Sequence, residues 1–405
     1  MTTAAKPLEL SPQHAEVVAA TLPLVGAHVG EITSCFYGRM FGARPELLRN
    51  LFNRGNQAQG AQQRALAASI ATFATHLVDP DLPHPADMLG RIAHKHTSLG
   101  IVAEQYPIVH EHLFAAIVEV LGADVVTAEV AEAWDRVYWI MADTLIALEN
   151  DLYRGAGVDA GDVYRRLRVT GRVDDPSGAV LVTVDCGAHV AAPAQYVSVG
   201  VTLPDGARQL RQYSLTGISE TELTFAVKPV PATGDAPAGE VSNWIRDNLR
   251  VGDLLDVTVP FGDLPTPGAG SVALISAGIG VTPMISLLEY LVQRAPQTPV
   301  RVLHADRSDE AHPLRQQQRE LVGQLPNATL DVWYEDGVVA GSPGAHPGRM
   351  NLDGVDLAED CHVYLCGPDA FVQAVRAQLV GPDGKGLAAE RVHCELFSPN
   401  DWLLS

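Results

Sequence analysis

The hydrophobic periodicity of this chain changes twice, and this feature restricts its fold more than any other. From residue 11 to about residue 153, apolar side chains recur every three or four positions, as along a helix that packs on one side. From Val163 to about residue 264 they fall in short runs rich in Val, Leu and Thr, separated by turn residues. Beyond that point, apolar strands alternate with helical stretches. This order predicts an all-α domain, an antiparallel β-barrel and a doubly wound α/β domain.

The predicted domains are residues 1–155, 156–264 and 265–405, and the linker-like stretch LPTPGAG lies at the second junction. Ser11 followed by Pro12 is typical of a helix start, with the serine as N-cap and the proline in the first turn. Breaks between helices are predicted at TLP, ARPE, DPDLPHP and LGAD. Barrel strands are predicted at LRVTGRV, GAVLVTVDC, AQYVSVGVTL, LRQYSLT, LTFAVKPV and LLDVTVP, and parallel strands at SVALISA, PVRVLHA, ATLDVWY and CHVYLCG.

The charge balance excludes some classes of partner. The chain has 28 basic and 48 acidic residues, a formal charge of −20, which argues against nucleic acid or an anionic membrane surface as the main partner. Its five cysteines form no C-x-x-C pair, and the start MTTAAKPLEL lacks the apolar core of an export signal. No uninterrupted apolar run reaches the roughly 18 residues that span a bilayer. We therefore expect a monomeric, soluble, cytoplasmic protein with small-molecule partners.

One histidine of the stretch RIAHKHTSLG is predicted to face the interior of the helical domain. On a helix, His96 shares the apolar stripe of Leu89 and Ile92, whereas His94 points to the polar side. The ordinary interpretation of such a histidine is a core side chain satisfied by a backbone carbonyl. A metal ligand is the alternative, and the pattern at this position alone does not decide between them.

Other polar side chains on the apolar stripes favour the metal ligand. Gln62 extends the stripe that begins at Leu66, Tyr37 flanks the stripe of Phe36, and Glu149 lies in line with apolar residues of the last helix. The amide costs about 1–3 kcal/mol in a core unless it is hydrogen-bonded, and the tyrosine hydroxyl and the carboxylate likewise need partners. An iron site with a polar pocket would account for all of them together, although periodicity alone does not show one.

The second half of the chain contains stretches typical of cofactor binding. RQYSLT, residues 211–216, lies on a predicted barrel strand, and in GEVSNWI we expect Ser242 to cap a helix. ISAGIGVTPM places two glycines after an apolar strand and before a helix opened by Thr282 and Pro283. The glycines would let the backbone approach the phosphates of a dinucleotide. Taken one by one, these stretches are weak signals.

The helical stretches resemble the globin domain of flavohaemoglobins. The resemblance rests on CFYGRMF, LFNRGNQ, QQRALAASI and RIAHKHTSLGIVAEQYPIVHEHLF, and it continues through the reductase half. It implies haem b with His96 as the proximal iron ligand and with Tyr106 and Glu149 as the partners of that histidine. It also implies that Phe52 packs on the haem face and that Tyr37, Gln62 and Leu66 line the distal side. A carboxylate that accepts the imidazole N–H makes the ligand more basic.

The same resemblance implies an FAD site and an NAD(P)H site. The residues implied for FAD are Tyr196, Arg211, Gln212, Tyr213, Ser214, Lys228, Val241 and Ser242. Those implied for the nicotinamide cofactor are Gly278, Gly280, Thr282, Pro283, Cys366, Gly367 and Pro368, with Glu395 and Phe397 over the flavin. Ala194 stands where the family pattern has glycine, and Leu-Phe-Ser follows Glu395 where the family more often has Cys-Phe-Gly.

The activity implied by the resemblance is that of a nitric oxide dioxygenase. NAD(P)H would reduce FAD, FAD would reduce the haem iron one electron at a time, and the reduced haem with dioxygen would convert nitric oxide to nitrate. Two alternatives stay open: a haem reductase acting on another oxidant such as a hydroperoxide, and a haem-based oxygen or redox sensor. For the nicotinamide cofactor, Asp306 favours NADH, whereas Arg307 and Ser308 favour NADPH, and of the two we expect NADH.

Overall fold

The computed structural model describes residues 9–58, 60–187, 191–234, 236–337, 344–382 and 384–398. These residues form two units. The first, called here the helical unit, contains the residues up to 164 together with residues 204–210. The second contains residues 165–203 and 211–398. Residues 1–8 lie outside the described part, so the expectation that the chain begins without an export signal remains a prediction.

The helical unit contains seven α-helices among its described residues. They are α1 (Pro12–Ala43), α2 (Pro45–Asn50), α3 (Arg54–Ala58), α4 (Ala61–Val78), α5 (Gly90–Leu99), α6 (Tyr106–Leu121) and α7 (Ala128–Gly155). Helix α1 packs against α4, α6 and α7 around a core that includes Phe36, Phe73 and Ile140, all at most 1% exposed. Ser11 caps α1 as predicted, since its side chain accepts a hydrogen bond from the N–H of His14.

The predicted break at TLP is wrong. Helix α1 continues through Pro23, although proline supplies no N–H to the helix. Val18 and Val25, on either side of this proline, are both buried in the core, and their packing holds the two halves in one helix. The other three predicted breaks are confirmed, because α1, α4 and α6 end at Ala43, Val78 and Leu121.

Helix α1 is also the one helix of the described residues that is long and apolar enough to cross a membrane. Length and composition alone are weak evidence for a membrane span, because core helices of soluble proteins meet the same criteria. In this structure Ile32, Phe36 and Met40 of α1 lie in the hydrophobic core of the helical unit. One face of the helix therefore packs in the core, although only 22% of its most apolar 18-residue stretch is buried.

The barrel forms as predicted. Its strands are β1 (Tyr164–Asp174), β2 (Val180–Asp185), β3 (Tyr196–Thr202), β4 (Arg208–Ile218), β5 (Glu222–Val227) and β6 (Leu254–Thr258). They close in the order β1-β2-β5-β4-β3-β6, and the pairings β1–β2, β2–β5, β4–β5 and β3–β6 are antiparallel. Alternate side chains fill the interior, as Val180, Val182 and Val184 of β2 show. Helix α8 (Glu240–Asn248) lies between β5 and β6 in the sequence.

The last part of the chain is a parallel sheet with helices. The sheet order is β10 (Ala345–Pro347), β9 (Ala328–Tyr334), β8 (Val300–Asp306), β7 (Val272–Ala277), β11 (His362–Cys366) and β12 (Val392–Glu395). The helices are α9 (Val281–Arg294), α10 (Arg315–Gly323) and α11 (Asp369–Val380). All six residues of β7 are buried, as expected of a central parallel strand. The edge strands β10 and β12 were not predicted from the sequence, because they are short and carry polar residues and proline.

Candidate functional site

Three helices bring a histidine, a tyrosine and a glutamate together in the helical unit. The Nδ1 atom of His96 on α5 lies 2.8 Å from Oε1 of Glu149 on α7. It also lies 3.2 Å from the hydroxyl of Tyr106, the first residue of α6. That hydroxyl donates to the same carboxylate oxygen at 2.6 Å. Because Glu149 is only 2% exposed, its carboxylate relies on these two hydrogen-bond partners instead of water.

This arrangement suits a metal ligand. The side chain of His96 is 33% exposed, and its ring nitrogen contacts a carboxylate and a hydroxyl, not the backbone carbonyl of the ordinary interpretation. With Nδ1 occupied by Glu149, the Nε2 lone pair is the one that can bind a metal. Burial and the neighbouring carboxylate raise the pKa of Tyr106, so its hydroxyl stays protonated and keeps donating.

A second polar cluster contains the residues expected on the distal side. The ring of Tyr37 on α1 is 5% exposed and lies edge-on to Phe52, with ring centroids 5.9 Å apart. Burial raises the pKa of Tyr37, and a side-chain hydrogen bond with Gln62 of α4 opposes the rise. Tyr37 is therefore a neutral hydroxyl donor in an aromatic pocket. Leu66, one turn along α4 from Gln62, is partly buried and packs on the same core.

The stretch expected to bind flavin lies on β4. The ring of Tyr213 stacks on Phe225 of β5, with centroids 5.6 Å apart and an angle of 14° between the planes. Its hydroxyl is buried and has no hydrogen-bond partner in the described residues, and burial raises its pKa. A buried hydroxyl without a partner is costly, so a bound group with a polar edge fits here.

The other residues expected to bind flavin differ in exposure. Ser214, next to Tyr213, is 5% exposed. Tyr196 lies on the adjacent strand β3, whereas Arg211 and Gln212 are partly exposed.

The prediction that Ser242 caps a helix is wrong. Helix α8 starts after Gly239, which occupies the N-cap position without a side-chain hydrogen bond. The Ser242 hydroxyl instead donates to the Gly239 carbonyl and accepts from the N–H of Val230, both at 3.3 Å. It thus ties the loop after β5 to the first turn of α8, where Val241 is fully buried.

The two glycine-containing stretches of the α/β domain follow β7 and β11 and meet at the carboxyl ends of these strands. A Cβ atom added to Gly280 would lie 2.4 Å from the carbonyl oxygen of Cys366 and 2.8 Å from the nitrogen of Gly367. Because β7 and β11 are parallel neighbours, these contacts are at their carboxyl ends, where dinucleotides bind in such sheets. Gly278 has φ +53, and a Cβ there would lie 3.8 Å from Nζ of Lys228. The structure therefore places Lys228 beside the glycine loop.

The helices that follow these stretches begin as the sequence suggests. Thr282 and Pro283 are buried in the first turn of α9, and the Thr282 hydroxyl donates to the carbonyl of Ile279 at 2.9 Å. Pro368 is the N-cap of α11. On β12, Glu395 pairs in register with Cys366 and is 8% exposed, whereas Phe397 is 48% exposed. Phe397 is thus an exposed aromatic residue two positions beyond the end of β12.

Known proteins share this combination of domains along nearly the whole chain. The globin family matches residues 34–145, and the family described as oxidoreductase NAD-binding domain matches residues 274–377. A flavohemoprotein of Chromobacterium violaceum is 40% identical over 404 residues, which cover 96% of this chain and 98% of the relative. The chain belongs to the flavohaemoprotein family.

Solved structures agree with this assignment. The crystal structure of the flavohemoglobin from Malassezia yamatoensis with bound FAD and heme is similar, with a TM-score of 0.85 and 34% identity. The match covers 96% of this chain and 100% of that chain. The FAD/NAD-binding domain of a nitric oxide dioxygenase from Vibrio cholerae matches with a TM-score of 0.53 and 31% identity, over 57% of this chain and 98% of that chain.

The predicted family, fold class and cofactors are thereby confirmed. This flavohaemoprotein is an NAD(P)H-dependent oxidoreductase with haem and FAD as cofactors. The roles of individual residues and the domain boundaries stay predictions. Three features of the described residues fit these cofactors. The Tyr213 hydroxyl without a hydrogen-bond partner fits FAD, the backbone at Gly280 fits NAD(P)H, and Nε2 of His96 fits the haem iron.

Ala194 shows why the family pattern has glycine at this position. Its φ is +62, in the left-handed region that costs an L-residue about 1–2 kcal/mol and that glycine adopts without strain. The Ala194 N–H donates to the hydroxyl of Ser286 on α9 at 2.9 Å. That hydrogen bond and the burial of the methyl group hold Ala194 in this left-handed conformation.

The sequence did not reveal a buried polar cluster at the end of β8. The rings of His304 and His312 stack with centroids 3.7 Å apart and exposures of 0% and 2%. Nδ1 of His304 lies 2.9 Å from the Ser276 hydroxyl, and Nδ1 of His312 lies 2.9 Å from the Tyr334 hydroxyl. Two histidines eight residues apart, one on a strand and one on a loop, carry no periodic signal that could have predicted this stack.

The histidine stack also lies next to Asp306, whose carboxylate is expected from the sequence to favour NADH. Its side chain is 5% exposed, and its carboxylate lies 3.7 Å from Nε2 of His304 and accepts the N–H of Arg307 at 2.8 Å. The side chain of Arg307 is exposed. The carboxylate that favoured NADH is therefore engaged inside the domain, whereas the arginine that favours a 2′-phosphate is accessible.

The histidine stack predicts a loss of stability at acid pH. Burial lowers the pKa of His304, and burial together with the charge of His304 lowers the pKa of His312 to about 2. Below pH 6.5 the unfolded chain therefore binds more protons than the folded one, and a histidine that stays neutral in the folded state removes up to about 1.4 kcal/mol of stability per pH unit. We expect urea unfolding, followed by flavin fluorescence, to require less urea at pH 5.5 than at pH 7.5. The variant His312→Leu should lose part of this difference, and an unchanged difference would contradict the prediction.

Proposed function

We propose that this flavohaemoprotein is a nitric oxide dioxygenase. The observation that carries the proposal is the buried Tyr37, which is hydrogen-bonded to the partly exposed side chain of Gln62 in an aromatic pocket of the globin fold. A neutral tyrosine hydroxyl donates to an oxygen ligand that gains negative charge, and a hydrogen bond to such an acceptor contributes about 1.5–3 kcal/mol. The name of the Vibrio cholerae protein, a nitric oxide dioxygenase, supports the same activity.

The residues on the other side of the pocket would hold the haem. When bound, haem supplies the iron at which dioxygen and nitric oxide react, and FAD delivers single electrons from a two-electron donor. His96 would bind the iron through Nε2, while Glu149 accepts the proton of Nδ1 and increases the basicity of the imidazole. Tyr106 donates to Glu149 and keeps the carboxylate in place. Phe52, beside Tyr37, would pack on the porphyrin.

The second unit would supply the electrons. Tyr213 and Ser214 of β4 would bind the flavin, and Arg211 would bind its pyrophosphate. The backbone at Gly278 and Gly280 is open to close approach by the phosphates of NAD(P)H, and Lys228 lies beside it with a compensating charge. This local positive charge matters because the chain as a whole carries −20. Phe397 would cover the flavin until the nicotinamide displaces it.

The test is nitrate formation by the purified protein with nitric oxide, dioxygen and NADH or NADPH. Nitric oxide should accelerate NAD(P)H oxidation and yield nitrate, and Tyr37→Phe should lower that rate about tenfold or more, the value of one such hydrogen bond. The control is Tyr290→Phe, which removes a hydroxyl from α9 instead of the pocket. If nitric oxide leaves NAD(P)H oxidation unchanged, the proposal is wrong. Acceleration by a hydroperoxide in its place would support the alternative oxidant.

A further inference from the structure

Gln209 is a buried glutamine that no role described above requires. It is the second residue of β4 and is 1% exposed. Its amide nitrogen donates to main-chain carbonyl oxygens, at 3.1 Å to Arg49 and 3.3 Å to Phe52, with Leu48 at 3.4 Å. Its amide oxygen accepts the N–H of Arg54 at 3.3 Å. One side chain thus contacts the backbone on both sides of Phe52.

The chemistry of an amide matches these partners. Helix α2 ends at Asn50 and α3 begins at Arg54, so the carbonyls of the first and the N–H groups of the second lack helical partners. The side-chain amide of glutamine offers two N–H donors and one oxygen acceptor. The donors suit the carbonyl oxygens at the end of α2, and the acceptor suits an N–H group at the start of α3. Gln209 therefore satisfies the end of α2 and the start of α3 at once and holds the turn between them.

Neighbouring contacts fix the same turn. Nη2 of Arg49 donates to the carbonyl of Asp205 at 2.7 Å, and Nη1 of Arg54 lies 2.6 Å from the Asp205 carboxylate. The N–H of Arg208 donates to the side chain of Asn50 at 3.3 Å. We call Gln209, Asp205 and Arg208, with these partners in residues 48–54, the Gln209 clamp. All of its residues belong to the helical unit.

Phe52 is the one residue of the turn that reaches the candidate haem pocket. Its ring lies edge-on to Phe41 at 5.2 Å and to Tyr37 at 5.9 Å, measured between centroids. A shift of the Phe52 backbone would therefore move the ring against the tyrosine on which the proposed distal chemistry depends. The clamp determines the position of that backbone.

We propose that Gln209 is a positioning residue for the haem, supplied from outside the globin sequence. It holds Phe52 in place and, through Phe52, the ring of Tyr37. Gln209 lies outside residues 34–145, which match the globin family, and belongs to the helical unit. The proposal rests on haem binding and not on the reaction with nitric oxide, so either can fail alone.

The test compares Gln209→Met with wild type in the full chain with haem and FAD bound. Methionine keeps the length of the side chain and removes the amide. Two readouts are used: the rate of haem transfer to excess apomyoglobin, and the C–O stretching frequency of the reduced protein with carbon monoxide, which reports the polarity around Tyr37. We expect haem release about tenfold faster, the equivalent of one buried hydrogen bond, and a shifted C–O frequency. NAD(P)H-to-dye reduction should stay unchanged.

Controls separate positioning from general stability. Gln316→Met removes an exposed amide that contacts Glu320 on the surface of α10, and it should change neither readout. Asp205→Ala removes an exposed part of the clamp without a cavity, so it remains a test if Gln209→Met fails to fold. It should give smaller changes in the same direction. Wild-type haem release and C–O frequency in a folded Gln209→Met, with a lower unfolding temperature alone, would overturn the proposal.

Discussion

Replacing His96 by alanine is expected to give a protein that contains FAD but no haem. In this structure His96 is the imidazole that Glu149 and Tyr106 orient, and their hydrogen bonds at Nδ1 leave Nε2 for the iron. If His96 is the ligand as proposed, removal of the ring leaves the iron without its protein ligand and leaves the buried Glu149 with one partner fewer. We expect the Soret band to be lost almost completely, whereas flavin absorbance and NAD(P)H-to-dye reduction persist.

The matched control is His94→Ala on the same helix. His94 lies two residues before His96, and on a helix its side chain points in a different direction. Haem absorbance should therefore be retained. Both variants are purified and reconstituted with haem side by side, and the Soret absorbance is compared with the flavin absorbance. Retention of the full Soret band by His96→Ala, or its loss in His94→Ala alone, would show that another residue binds the iron.

The complementary prediction is that Gly280→Ala retains haem and loses its reduction by NAD(P)H. The added Cβ would lie 2.4 Å from the Cys366 carbonyl oxygen, and that atom belongs to the backbone and cannot turn away. The end of β11 or the glycine loop must therefore move. Because misplacement by about 1 Å can cost a hundredfold in rate, we expect NAD(P)H-to-dye reduction to fall about a hundredfold. The Soret band, and haem reduction by dithionite, should be those of the wild type.

Gly323→Ala is the control for the added methyl group. A Cβ at this glycine, the last residue of α10, meets no atom within 4 Å. This variant should reduce the dye at the wild-type rate with either cofactor. If Gly280→Ala also reduces the dye at the wild-type rate, the nicotinamide cofactor does not bind at the carboxyl ends of β7 and β11.

Much of the fold could be predicted from the sequence because periodicity reports burial. The alternation in β2 and the continuous apolar run of β7 correspond to half-buried and fully buried strands. Edge strands obey no such rule: β10 has three residues, one of them a proline, and only its pairing with β9 defines it. Pro23 was misjudged for a related reason, since packing on both sides of it outweighs the local preference.

The site was partly predictable for the same physical reason. A polar residue on an apolar stripe requires a partner, and this rule alone identified Glu149, Tyr37 and Gln62. The rule does not reveal which groups pair with one another, because that depends on contacts between distant helices. It also misses residues on strands and loops: nothing in the pattern marks Gln209 as the cap of two helices, or His312 as the ring that stacks on His304.

Ser242 and Asp306 show where residue type misleads. Serine before a helical stretch is typical of an N-cap, but here Gly239 takes the cap and Ser242 binds the preceding loop. An acidic residue at the end of the second parallel strand is typical of ribose binding, but here its carboxylate faces a buried histidine. In both cases a nearby polar group competes for the side chain, and only the fold brings that group close.

Electrons from NAD(P)H are expected to reach the haem through the flavin. The decisive measurement mixes the oxidised protein with NADH or NADPH without dioxygen and records absorbance over time. The flavin band should bleach first, and the ferric haem spectrum should then convert to the ferrous one, about a hundredfold more slowly in Gly280→Ala than in the wild type. A haem that stays ferric after the flavin has been fully reduced would contradict the account.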